Sequence, residues 1–78
     1  MENQELYNKA IAIASEAEML FIAAHDEYMN GSHTQSYHRI AVKPQADRVC
    51  AQKELVAELF GVTYEQVHKD ISNYIDEL

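Results

Sequence analysis

Between Asn3 and Met29 the chain carries neither glycine nor proline, and its apolar residues return at the interval of a helix. Placed at 100° per residue, Leu20, Ile13, Leu6, Ala24, Ala17, Ala10, Tyr28, Phe21, Ala14 and Tyr7 fill one arc, which Ile11 and Ile22 extend. The arc is about 200° wide, whereas packing on one neighbour needs about 100°. A long first helix over residues 3–29 is therefore expected to meet two neighbours. Within the arc Ala10, Ala17 and Ala24 recur at heptad spacing, with Leu6, Ile13 and Leu20 along one side. Asn30-Gly31 ends the helix and suits a residue of positive φ.

Residues 30–44 show no sustained helical period and end at Pro44, so they read as a long loop; Tyr37 to Val42 alternatively extend the following helix, with Pro44 as a kink. A second helix spans 45–60. Val49, Val56, Phe60, Ala46, Ala57 and Cys50 share one face of it, and Leu55 and Leu59 lie on another. Lys53 falls inside the apolar arc, where its stem is expected to pack while the ammonium reaches water. Gly61 closes this helix. Thr63 with Gln66 forms a capping box that opens a third helix over 63–77, on which Val67, Ile71, Tyr74, Ile75 and Leu78 make a narrower stripe.

The pattern predicts an all-α fold in a single helical domain, residues 1–78. The long N-terminal helix packs antiparallel against the second, and a shorter third follows. A first helix of ~40 Å is covered fully by partners of ~24 and ~22 Å only if they lie end to end. The uncovered arc predicts a homo-oligomer, with Leu6, Ala10, Ile13, Ala17, Leu20, Phe21 and Ala24 at the interface. The alternative is a monomer whose arc wraps around the other two helices.

Composition sharpens this expectation. A chain of 8.9 kDa exposes roughly 13,000 Å² unfolded and about 4,800 Å² folded, which leaves a marginal core. Ten of the apolar residues are alanine, and one cysteine, Cys50, excludes an internal disulfide. A small core of this kind borrows stability from regular helices or from other subunits. The lone thiol and the acidic start Met1-Glu2-Asn3-Gln4-Glu5 point to a cytoplasmic protein. No apolar run reaches the ~18 residues of a membrane span.

The net charge of −7 is unevenly distributed. Lys9 against Glu2, Glu5, Glu16, Glu18, Asp26 and Glu27 gives −5 over residues 1–30. Arg39, Lys43, Arg48 and Lys53 against Asp47 give +3 over 31–53, and residues 54–78 return to −5. The basic centre either pairs with the acidic helices beside it or attracts a local anion. Tyr37, His38, Arg39, Lys43, Arg48 and Lys53 are the candidate ligand-binding set, because guanidinium binds phosphate bidentately while an aromatic ring stacks on a base.

Residues 53–71 place Ala57, Gly61, Val62 and Val67 at the spacing of two helices joined by a tight turn. The stretch resembles the helix-turn-helix of bacterial and phage repressors, which implies a DNA-binding regulator with Tyr64, Glu65, Gln66, His68 and Lys69 opening the recognition helix. The outer face of that helix carries Glu65, Asp70 and Asp76 against Lys69, the wrong sign for the phosphate attraction that dominates DNA affinity. No two of His25, His33, His38 and His68 are a helical turn apart, so no metal or cofactor is expected. Ser36, Tyr37 and His38 are adjacent, yet no nucleophile with an oriented base is visible, so no catalytic residue is assigned.

The leading expectation is a small non-catalytic binding protein, an oligomeric inhibitor or sequestering protein for a host protein or a small anionic ligand such as a nucleotide. Its size and acidity are similar to those of phage and mobile-element products. The helix-turn-helix regulator and a structural assembly subunit are the alternatives.

Overall fold

The computed structural model describes residues 2–31 and 34–78, and among them only helices occur. Helix α1 is Glu2–Asn30. Helix α2 covers 35–60 in three continuous pieces: a first turn Gln35–Tyr37, a π-helical turn His38–Val42, and a regular length Lys43–Phe60. Helix α3 is Tyr64–Asp76.

The expected loop over 30–44 is corrected by this arrangement, which follows the alternative in which Tyr37 to Val42 extend the second helix. Thr34 is extended, and its hydroxyl accepts from the Tyr37 N–H at 3.1 Å, so the chain turns back into a helix well before Pro44. A proline ring crowds the carbonyl four residues earlier in a regular helix. Here the turn before Pro44 is wider, with the Lys43 N–H donating five residues back to the His38 carbonyl. The helix therefore runs through the proline, and α2 starts ten residues earlier than the expected Gln45. Ser32 and His33, part of the same expected loop, lie outside the described residues. Gly31 is also corrected. Its φ is not positive, yet its N–H still closes the last turn of α1 on the Glu27 carbonyl at 2.9 Å.

Three side-chain meetings fix the topology. Tyr7 lies edge-on to Phe60 with centroids 5.3 Å apart, Glu18 meets Lys53, and Tyr28 lies against His38 at 5.0 Å. Residue numbers rise on one helix as they fall on the other, so α1 and α2 are antiparallel over their whole common length. Helix α3 folds back across the end of the pair, where Ile11, Ala14, Val56, Val67 and Ile71 form the buried core. Tyr7, Phe60, Val62 and Ile75 close over it. Val67 and Ile71 are wholly enclosed. Beyond α3 the pair continues with a thinner interior of Ala17, Val42 and Val49. Cys50, expected on the packing face, is exposed.

The result is a slab of 46 × 24 × 16 Å.

The turn between α2 and α3 follows the sequence closely. Gly61 adopts φ 67°, ψ 32°, and the Val62 N–H reaches the Ala57 carbonyl at 3.1 Å. Thr63 caps α3 by accepting from the Gln66 N–H at 3.1 Å. The Gln66 side-chain amide donates to Asp70 Oδ1 at 2.9 Å. A Cβ at Gly61 would meet no atom within 4 Å, so its substitution isolates the cost of the left-handed backbone. Gly61→Ala is expected to lower the stability measured by urea unfolding by about 1 kcal/mol without changing the helical circular dichroism.

Candidate functional site

Helix α2 carries all six residues of the candidate ligand set, and the fold disperses them. Tyr37 and His38 are half-buried at the start of α2, with the His38 ring turned onto Tyr28 of α1. Arg39 is exposed on the π-helical turn. Lys43 pairs with Asp47 one turn later, at 3.7 Å and in solvent, an interaction worth a few tenths of a kcal/mol. Arg48 is exposed further along.

Lys53 departs from the others and from its expected behaviour. The residue is only 5% exposed. Its ammonium does not reach water past a packed stem; it donates to Glu18 Oε1 of α1 at 3.1 Å and to His68 Nδ1 of α3 at 2.8 Å. An ammonium only donates, so His68 accepts through Nδ1 and carries its proton on Nε2. The ring of Tyr64 lies 6.0 Å from the same nitrogen. One cation thus touches all three helices, and the anion it meets is part of the chain.

The sequence reading missed Glu18, and the missing signal is geometric. At 100° per residue Glu18 projects between Ile11 and Ala14, both buried. A carboxylate inside one apolar arc and an ammonium inside the other is the pattern of a buried pair. Ser15, also fully buried, is satisfied locally by donating to the Ile11 carbonyl at 2.7 Å.

A second polar contact joins α1 to α3. The Tyr7 hydroxyl donates to Asp70 Oδ2 at 2.5 Å, beside an open cleft of about 430 Å³ lined by Gln4, Asn8, Asn73 and Glu77. Burial and the Asp70 carboxylate push the Tyr7 phenol up to about 12 from 10.0. Apart from this hydroxyl–carboxylate pair the cleft is lined largely by amide side chains. Among the described residues no group of three His, Cys, Asp or Glu is placed to hold a metal ion.

The third feature is apolar. Leu6, Ile13 and Leu20 of α1 and Leu55 and Leu59 of α2 are each more than half exposed. Between the two helices runs a groove of about 230 Å³ with Ala10, Ala14 and Val56 at its base and Ile13, Leu55 and Leu59 at its walls. The expected interface set is divided by the fold. Leu6, Ile13 and Leu20 form an open ridge, Ala10, Phe21 and Ala24 are half-covered, and Ala17 is buried within its own chain. The alanine stripe therefore serves the close approach inside the chain, and the larger residues beside it are left outside.

No protein-family model, curated protein or solved structure matches the chain.

Two measurements probe these polar contacts. Glu18→Ala leaves the Lys53 ammonium buried and unpaired and is expected to cost about 3–5 kcal/mol, whereas Glu18→Leu combined with Lys53→Met should retain or exceed the original stability. Chemical unfolding of the three proteins decides this. For Tyr7 the folded state holds its proton more tightly than the unfolded state. Its contribution is therefore complete below pH 10 and lost as pH rises through about 12. Tyr7→Phe should flatten that alkaline loss, followed by circular dichroism against pH.

Proposed function

We propose that this chain is a non-catalytic binding protein that works as a homo-oligomer and acts by occupying a partner, in the manner of an inhibitor or sequestering protein. The observation that carries the association in this reading is the apolar face of Leu6, Ile13, Leu20, Leu55 and Leu59 around the α1/α2 groove. Single exposed leucines are ordinary, but a contiguous patch on a helix pair marks a protein contact.

A protein partner is favoured over a small anionic ligand. Of the four cations in the basic centre, Lys53 is neutralised by Glu18 and Lys43 pairs with Asp47, which leaves Arg39 and Arg48 available. No membrane contact is invoked, since no helix among the described residues is long and apolar enough to cross a bilayer. The free, exposed Cys50 accords with a reducing compartment such as the cytoplasm. DNA binding through α3 is disfavoured by the exposed charges of Glu65 and Asp76; Asp70, expected on the same outer face, is turned instead to Tyr7 of α1.

Sedimentation equilibrium at micromolar concentration tests the reading. The unmodified chain is expected to sediment above its monomer mass of 8.9 kDa, and Ile13→Glu with Leu55→Glu to sediment as a monomer with unchanged helical content. A monomeric unmodified chain over the whole concentration range would remove the basis of the proposal.

A further inference from the structure

We infer that the occupant of the apolar face is a second copy of this chain, and that the two copies pair about a two-fold axis running along the helix pair, with α1 of each lying antiparallel on α2 of the other. The inference rests on the association proposed above and specifies its partner and its geometry.

Area is the first argument. The chain exposes 5588 Å², about 800 Å² more than the ~4,800 Å² expected of a compact protein of its mass. The radius of gyration, 13.8 Å, likewise exceeds the roughly 11.5 Å of a compact chain this long. A stable interface of standard size takes about 800 Å² from each partner. The excess surface of one chain is thus the amount that one such interface removes, and stacking the α1/α2 pair of a second copy on the face makes a four-helix bundle with α3 of each copy outside it.

Charge complementarity gives the orientation. Tyr7 stands beside Phe60 and Glu18 beside Lys53, so Lys9 lies level with Glu58 along the pair, and Ile13 level with Leu55. Lys9 flanks the Ile13 ridge on the side away from α2, and Glu58 flanks Leu55 on the side away from α1. Both are exposed, and neither makes an ion pair among the described residues. Within one chain they sit on opposite edges of the face. A two-fold axis along the helices keeps every residue at its own level while exchanging the edges. It therefore sets Lys9 against Glu58 of the partner, twice, with Ile13 over Leu55 of the partner between them. An isologous contact of this kind is closed and stops at two copies.

Charge reversal tests the arrangement, read as the dimer dissociation constant by sedimentation equilibrium. Lys9→Glu and Glu58→Lys should each weaken the dimer about 5-fold, since two exposed pairs are lost together. The double variant Lys9→Glu/Glu58→Lys should restore it, and 0.5 M salt should shrink the weakening of both single variants. A dimeric unmodified chain in which the double variant is no better than the single ones would overturn this geometry while leaving the association standing. Restoration by Lys9→Glu/Glu16→Lys instead would place α1 on α1 and overturn it equally. A chain that never dimerises fails at the earlier step.

Discussion

The Lys53 ammonium is removed from water between three helices, and the placing of all three depends on how that cost is met. A buried charge without a partner costs several kcal/mol, comparable with the whole stability of a domain this small. Glu18 supplies the counter-charge from α1 and His68 a lone pair from α3. Only one antiparallel register sets Glu18 opposite Lys53, and only one placement of α3 brings His68 to the same nitrogen. The apolar contacts alone discriminate less sharply, because alanine and valine make up most of the interior. The pair is thus better understood as fixing register than as adding stability, since a matched apolar pair fills the same volume without the desolvation cost.

Much of the fold was legible in the sequence, and the parts that were not share a cause. The uninterrupted apolar arc of α1, Gly61 at the left-handed turn and Thr63 at the cap of α3 each act within a few residues, so local pattern specified them. The start of α2 did not yield to the same reading. The π-helical turn at His38–Val42 inserts an extra residue into the period. Apolar positions on its two sides then fall out of phase, and with Pro44 following, the stretch read as a loop. The Lys53 position was recognised as anomalous, but its resolution lay 35 residues away at Glu18. A motif search within one helix does not reach that far, whereas a search for opposite charges inside two apolar arcs does.

The candidate site divides in the same way. Leu6, Ile13 and Leu20 were legible as surplus because α1 carries more apolar arc than a short chain can cover. Leu55 and Leu59, the other wall of the groove, were seen on a separate face of α2 but not joined to the ridge, since only the antiparallel register brings them level with it. Tyr37, His38, Arg39, Lys43, Arg48 and Lys53 are close in sequence without converging in space. Successive residues on a helix point 100° apart, so a run of cations that would cluster on a loop is spread around α2.

That dispersal also changes how the acidic charge bears on association. Two chains of −7 repel one another, so the apolar face has to act where the field is weakest. It does lie there. The face itself carries five aliphatic side chains, and the basic residues on and beside it, Lys9 and Arg48, offset the nearby Glu16 and Glu58. The acidic residues of α3, Glu65 and Asp76 among them, lie away from this face, whose groove no residue of α3 lines. Across a slab 16 Å thick those charges are separated by more than the ~8 Å over which physiological salt screens them. With α3 packed on the other side of the pair, burying this face leaves the acidic residues of α3 directed outward.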